Sequence, residues 1–122
     1  MIERVSVATT ILLTVYGQMA VKYAVTRAGT LPEATSDRIS YVLRLLLDPF
    51  IVSALAAAFL GALSWFVALS RLQLSHAYPF MALSFVGVLI FSWLIFAEPL
   101  TVQKVSGIAL IVAGVIVVGF SM

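Results

Sequence analysis

The chain has 122 residues, of which 63% are hydrophobic and only 10% charged, and its mean hydropathy is +1.18. A soluble domain of this size buries about two-thirds of its surface, so its interior is too small for that many apolar side chains. Seven Lys and Arg are scattered singly among five Asp and Glu, a pattern that does not indicate nucleic-acid binding. The absence of cysteine excludes disulfides and thiolate metal sites. The composition is typical of a membrane protein.

Four apolar windows are long enough to cross a bilayer, since a transmembrane helix needs about 20 apolar residues. The windows are residues 5–25, 50–70, 77–96 and 102–120. Their apolar runs are continuous and do not alternate at period two, which excludes the strands of a membrane barrel. The sequence therefore predicts an all-α integral membrane protein, with residues 1–122 forming a single four-helix transmembrane domain.

The first window has one alternative interpretation, a secretory signal peptide. Arg4 precedes the apolar core, and small residues lie near Ala20. Gly17, Gln18 and Lys22 interrupt that core, however, and this favours a retained transmembrane helix.

The connections between the windows differ in length. Those at 71–76 and 97–101 are short, which predicts that the helices they join are antiparallel neighbours. The first connection, 26–49, is predicted to contain an amphipathic helix at about 37–47, capped by Ser36 and lying in the headgroup region. Its apolar positions are Ile39, Val42, Leu43 and Leu46, with Asp37, Arg44 and Asp48 on the opposite side. This helix is either a tether between two spans or a gate beside a lipid-facing entrance, and periodicity does not choose between them.

Basic residues in the connections bear on orientation. Arg4 and Arg71 lie on the side that holds both termini. The other side carries more basic residues, namely Arg27, Arg38, Arg44 and Lys104, with Lys22 near that end of the first helix. This small bias favours termini outside the cytoplasm.

The first helix carries a polar stripe, defined as Thr10, Thr14, Gln18 and Lys22, which recur every fourth residue. Polar groups inside a bilayer are expensive and call for a reason. Snorkelling to the headgroups explains Lys22 alone but leaves the three earlier residues unexplained. We therefore predict a polar cavity in which Lys22 binds an anion such as phosphate. No Asp or Glu occurs in any window, which argues against proton-coupled export of cations.

The other windows carry mainly small residues suited to helix packing. In the second window these are Ser53, Ala57, Gly61, Ser64 and Ala68; in the fourth they are Gly107, Ala109, Ala113 and Gly114. The third window begins Ala77-Tyr78-Pro79, which places the proline in a first turn where it costs little, and continues with the small residues Ser84 and Gly87.

Enzymatic function is not expected. No nucleophile–base pair, metal cluster or paired carboxylates can be assembled from these residues, and no phosphate-binding loop of the G-x-x-x-x-G-K-[ST] type is present. We therefore predict no catalytic residues, no metal and no cofactor.

Several short motifs resemble those of one family. They are Gly17-Gln18 followed by Lys22, Ala77-Tyr78-Pro79, Glu98-Pro99-Leu100-Thr101, and Gly107 with Ala113-Gly114. Together they resemble the small multidrug resistance proteins of the drug/metabolite transporter superfamily, and most closely the small paired flippases for aminoarabinose linked to undecaprenyl phosphate. The resemblance covers nearly the whole chain and is weakest in the first connection. Gly107 with Ala113-Gly114 matches the glycine pattern through which drug-exporting relatives pair their fourth helices.

Two departures separate the chain from the drug/proton antiporters. Thr14 stands where those proteins have a glutamate, and Met81 stands where they have an aromatic residue. Both agree with an anion-accepting cavity. The resemblance implies a homodimer, or a heterodimer with a similar small subunit, because four helices offer little wall for a cavity.

The leading hypothesis is a flippase of a polyprenyl-phosphate carrier, in the bacterial inner membrane and in contact with lipid. Lys22 would bind the phosphate, Thr14 and Gln18 would hydrogen-bond phosphate or sugar, and Thr10, Tyr78 and Ser84 would complete the substrate site. One alternative is an exporter of drugs or small solutes. Another is a non-transporting subunit of a membrane complex, whose polar stripe would tolerate apolar replacement.

Overall fold

The computed structural model describes residues 1–121, and this part of the chain is helical throughout apart from its connections. The helices are α1 (Ile2–Ala28), α2 (Thr35–Leu46), α3 (Pro49–Leu69), α4 (Leu74–Met81), α5 (Leu83–Phe96) and α6 (Val102–Phe120). Four stretches are long and apolar enough to cross a membrane: α1, α3, the pair α4–α5 and α6. The prediction of an all-α protein with four spans is confirmed.

α1 and α3 form the closest helix pair. The hydroxyl of Thr10 approaches the carbonyl of Gly61 at 3.4 Å, and a Cβ on Gly17 would lie 3.7 Å from the carbonyl oxygen of Ala54. Because residues later in α1 lie opposite residues earlier in α3, the two helices are antiparallel. Small residues bring the backbones this close, which increases dispersion contacts between helices in a bilayer. Gly61 contributes to this packing, since its added Cβ would lie 3.7 Å from Leu13 Cβ.

The N-terminus of α3 is fixed by a cap and an ion pair. Asp48 Oδ1 accepts a hydrogen bond of 2.8 Å from the N–H of Phe50, with Pro49 in the first turn. Its Oδ2 accepts a second bond of 2.7 Å from Arg27 Nη2 at the end of α1. The Phe50 N–H, followed by the Arg27 guanidinium, holds the pKa of Asp48 below its ordinary value. Asp48 therefore caps α3, and its predicted place on the polar face of the amphipathic helix is wrong.

The amphipathic helix is present as α2, but it begins earlier than predicted. Its N-cap is Ala34, with no side-chain bond, and the N–H of Arg38 bonds to the Ala34 carbonyl at 2.9 Å. The predicted cap, Ser36, lies inside the helix. Two bonds attach α2 to the preceding loop, from Tyr41 Oη to the Gly29 carbonyl and from Arg38 Nε to the Pro32 carbonyl. Its apolar residues stay exposed: Ile39, Val42, Leu43 and Leu46.

The third span begins three residues before the predicted start and is divided in two. α4 begins at Leu74, so Pro79 lies inside this helix, and the prediction of a first-turn proline is wrong. Proline has no N–H to donate to the carbonyl four residues earlier, and its ring strains the preceding turn. The regular helix is interrupted at Ala82, after which α5 continues to Phe96.

α6 lies on the outside of the bundle. It packs against α4 and α5, and Val115 is its single buried residue in the described chain. Near its end, a Cβ on Gly119 would lie 3.4 Å from Phe80 Cζ. Added Cβ atoms on Gly107 and Gly114 would meet nothing within 4 Å, and Ala113 is exposed. Most of the α6 surface is therefore free of contact with the rest of the described chain.

Candidate functional site

A cavity of about 720 Å³ lies between α1, α3 and the α4–α5 pair, within the size range of small-molecule sites. It is partly open to its surroundings and mostly apolar. Its α3 wall consists of small and aliphatic residues with one tryptophan: Ile51, Ala54, Leu55, Ala57, Ala58, Gly61, Ala62 and Trp65. Its polar side chains come from α1 and from the divided third span. α6 contributes no residue to the described lining.

Three residues of the polar stripe line the cavity, and they differ in their hydrogen bonds. Thr10 and Thr14 each donate to the carbonyl four residues earlier, at 2.8 Å, so their hydroxyl protons are used within α1. Their oxygens can still accept from a ligand. Gln18 is exposed to the cavity and makes no side-chain hydrogen bond in the described part of the chain. Gln18 is therefore the residue of the stripe whose donors and acceptor are both open to a ligand.

Lys22 does not line the cavity. It is exposed and lies four residues beyond Gln18, on the same face of α1, towards the end that carries α2. Among the residues that the structure describes, no carboxylate lies within ion-pair distance of its ammonium. Lys22 thus lies outside the described lining, next to Val21, which belongs to it, and one helical turn beyond Gln18.

The third span supplies Tyr78 and Ser84, both of which line the cavity. Tyr78 meets Trp65 edge-on across the space between α4 and α3, with ring centroids 6.2 Å apart. The sequence assigns Trp65 only to packing or to the interface, whereas it forms part of the wall. Its spacing of four from Gly61 on the small-residue face was the available indication.

The predicted packing residues separate into two groups. Gly61 packs against α1 and also lines the cavity. Gly107, Ala113 and Gly114 are exposed on α6, away from the cavity. The structure therefore does not bring these three together with the substrate-binding candidates.

The cavity is short of negative charge. No Asp or Glu belongs to its described lining. Of the acids near the ends of the spans, Asp48 is bound to Arg27, and Glu3 lies 2.8 Å from the N-terminal ammonium. No cluster of three metal-ligating residues occurs among residues 1–121. A cavity with amide and hydroxyl groups, a lysine next to its lining and no carboxylate is suited to a polar or anionic ligand.

Four helical stretches able to cross a membrane, three of which surround a mostly apolar cavity with a few polar side chains, define a multi-pass membrane protein with a ligand-sized cavity. The chain belongs to the EamA-like transporter family, whose pattern matches residues 7–120. Family membership confirms the resemblance to the drug/metabolite transporter superfamily and the prediction of a transporter in place of an enzyme.

Curated relatives are similar along most of the chain. The protein named "Probable 4-amino-4-deoxy-L-arabinose-phosphoundecaprenol flippase subunit ArnE" of Pseudomonas savastanoi pv. phaseolicola is 37% identical over 108 residues, covering 88% of this chain and 89% of the relative. Its namesake in Pseudomonas aeruginosa strain UCBPP-PA14 is 37% identical over 112 residues, covering 92% of each. That of Pseudomonas fluorescens strain Pf-5 is 32% identical over 104 residues, covering 85% of each. No solved structure matches the chain.

Proposed function

We propose that this chain is one subunit of a flippase that moves a polyprenyl-phosphate-linked sugar across the bacterial inner membrane. The observation that carries the proposal is the partly open cavity, which has hydrogen-bonding groups on α1 and the third span and no carboxylate in its described lining. The relatives are named as probable flippase subunits for an undecaprenol-linked amino sugar, and these names support the proposal.

The substrate has three chemically different parts, and the site offers a place for each. Gln18 exchanges hydrogen bonds with the sugar hydroxyls, and Thr14 accepts from them, because its proton is donated to Thr10. Lys22 meets the phosphate next to the lining as a compact positive charge. The polyprenyl tail stays in lipid and passes through the opening of the cavity.

A second subunit completes the pathway in this proposal. The cavity is walled by three of the four spans and is left partly open, while α6 takes no part in its described lining and has its small residues exposed. A partner of the same kind, either a second copy or a similar small protein, closes the opening. The relatives are themselves named as subunits, which agrees with a pair.

The test is translocation of a fluorescent, short-chain polyprenyl-phosphate sugar in proteoliposomes. The protein is reconstituted together with any small subunit that copurifies with it. We expect Lys22→Ala to lower the rate of translocation at least tenfold, because the phosphate loses its charged partner, and Lys22→Arg to retain most of it. Lys104→Ala is the matched control, since Lys104 lies at the start of α6 and its Nζ bonds to the Pro99 carbonyl at 3.2 Å.

The same vesicles separate this function from its alternatives. Translocation that is unchanged in Lys22→Ala contradicts the role of Lys22. Proton flux driven by quaternary ammonium compounds, without movement of the lipid, indicates a drug exporter. A non-transporting subunit is indicated if the protein moves neither substrate and also tolerates apolar replacement of Thr14 and Gln18.

A further inference from the structure

The interruption of the third span lies at the cavity. Pro79, Met81, Ala82, Ser84 and Phe85 all belong to the lining, so the last turn of α4 and the first turn of α5 face the same space. Around the break, backbone N–H groups bond to the carbonyl three residues earlier instead of four residues earlier. The N–H of Ala82 bonds to the Pro79 carbonyl and that of Phe85 to the Ala82 carbonyl, both at 3.0 Å. A new helix therefore begins at Leu83, inside the membrane-spanning stretch.

Ser84 is a buried hydroxyl without a partner. The residue is 7% exposed, and its side chain makes no hydrogen bond within the described chain. A serine in an intact helix returns its proton to the carbonyl four residues earlier, as Thr10 and Thr14 do in α1. For Ser84 that carbonyl belongs to Phe80, on the other side of the break. Since Ser84 lines the cavity, its hydroxyl is available to a ligand in that space.

The electrostatics of this position favour an anion. The first turn of α5 has backbone N–H groups without partners in its own helix, of which that of Phe85 is bonded to the Ala82 carbonyl. The described lining contains no carboxylate that would compete for these donors. Low dielectric in the membrane strengthens each of these interactions.

The depth of Ser84 follows from helix contacts. Gly87 faces Val15, since its added Cβ would lie 2.8 Å from Val15 Cγ2. α1 and α5 run in the same direction, because each is antiparallel to α3. Ser84 is therefore level with about residue 12 of α1, and Lys22 lies about 15 Å further along at 1.5 Å per residue. Ser84 is also central in the stretch Leu74–Phe96.

We propose that Ser84 and the first turn of α5 form a second anion site, near the middle of the membrane, which binds the phosphate of the lipid-linked substrate during its passage. The proposal rests on the proposed function and deepens it. Lys22 receives the phosphate at one edge of the bilayer, and the start of α5 holds it halfway, where an uncompensated anion would otherwise be costly. The driving force for translocation is not part of this site; the site lowers the barrier between the two membrane faces.

The probes for this site are farnesyl phosphate and its neutral counterpart farnesol, titrated into the detergent-purified protein by calorimetry. We expect Ser84→Ala to weaken binding of farnesyl phosphate about tenfold, as for the loss of one hydrogen bond to a charged group, and to leave farnesol binding unchanged. Ser92→Ala is the matched control, because Ser92 lies on α5 outside the described lining of the cavity. Ser84→Thr and Ser84→Val form a second comparison, since the two side chains have the same shape and differ only in the hydroxyl.

The outcomes separate this site from the function on which it rests. Equal binding of farnesyl phosphate by the wild type, Ser84→Ala and Ser84→Val refutes the site at α5, and loss of binding in Lys22→Ala then leaves the flippase proposal standing. A wild-type protein that binds farnesyl phosphate no better than farnesol refutes both. A tenfold difference between Ser84→Thr and Ser84→Val supports the site even if Ser84→Ala does not fold.

Discussion

α3 and α6 are both apolar membrane helices, yet they relate to the rest of the chain in opposite ways. α3 is held against α1 along its length. Gly61 and Ala54 of α3 both lie close to α1, and Asp48 forms an ion pair with the end of α1. In addition, Tyr16 Oη donates a hydrogen bond of 2.8 Å to Ser53 Oγ. α6 has one buried residue in the described chain, Val115. Hydropathy does not distinguish the two helices, since mean values are 2.2 and 2.0 in their most apolar windows.

The difference is instructive because it follows the position of the cavity. The helices that are bound by specific contacts, α1 and α3, form most of the described wall, whereas α6 contributes nothing to it. A binding site requires side chains held in fixed geometry, and hydrogen bonds and close packing supply that. A helix whose surface is left free by its own chain is available for a neighbour in the bilayer, here lipid or a partner subunit.

The largest effect on stability is expected from a substitution at Gly87, where α5 packs against α1. Gly87→Ala places a methyl group 2.8 Å from Val15 Cγ2, and valine has little freedom to turn away. We expect the free energy of unfolding in detergent to fall by about 1–3 kcal/mol through overpacking. Gly107→Ala on α6 is the matched control, because its new Cβ meets nothing within 4 Å. That variant is expected to gain up to about 1 kcal/mol from helix propensity. Equal losses in both variants would show that the two helices are packed alike.

A smaller effect is expected at the joint between α1 and α3. Asp48→Ala removes both the cap of α3 and the ion pair with Arg27, whereas Asp48→Asn keeps a cap and loses the ion pair. We therefore expect the midpoint of thermal unfolding to decrease more for Asp48→Ala than for Asp48→Asn. Arg27→Ala should lower the midpoint at least as much as Asp48→Asn, because it also removes the contacts of the guanidinium with the rings of Tyr23 and Phe50. If Asp48→Asn were as damaging as Asp48→Ala, the cap would make no separate contribution.

The same joint predicts a dependence of stability on pH. The pKa of Asp48 is lower in the folded protein than its ordinary value of 3.8, chiefly because of the Phe50 N–H and then Arg27. The carboxylate therefore stabilises the fold above pH 3.8, and this contribution is lost as the pH falls below that value and through the folded-state pKa. Unfolding midpoints of wild type and Asp48→Asn should converge in this acidic range. A difference that stays constant down to pH 3 would be inconsistent with the shift.

The smallest effect is expected at Tyr16. Tyr16→Phe removes the bond to Ser53, and hydrogen bonds between membrane helices average about 0.6 kcal/mol. The change in the free energy of unfolding should be of that order. Tyr78→Phe is a suitable control, since the Tyr78 hydroxyl has no partner in the described residues. An equal change in both would mean that the Tyr16–Ser53 bond adds no stability.

Much of the candidate site follows from helical spacing in the sequence. Thr10, Thr14 and Gln18 recur every fourth residue, and this geometry alone places them on one face of α1. The same spacing includes Lys22, but it does not show that Lys22 lies outside the lining, next to Val21, which belongs to it. Trp65 was not predicted to line the site, because a tryptophan in an apolar helix is usually a packing or interfacial residue. Only its edge-on contact with Tyr78 on another helix identifies its position.

The number of spans, their order and the absence of carboxylates within them were determined by the sequence itself, because length, hydropathy and charge are local properties of a helix in lipid. The tertiary structure decided which faces meet. It decided that Gly61 packs inside the chain while Gly107 stays exposed, and that Asp48 caps α3 in an ion pair with Arg27. It also decided that the third span breaks beside Ser84, a residue of the cavity wall. The break itself follows from Pro79, but the other features depend on contacts between residues far apart in the chain, and no local pattern specifies them.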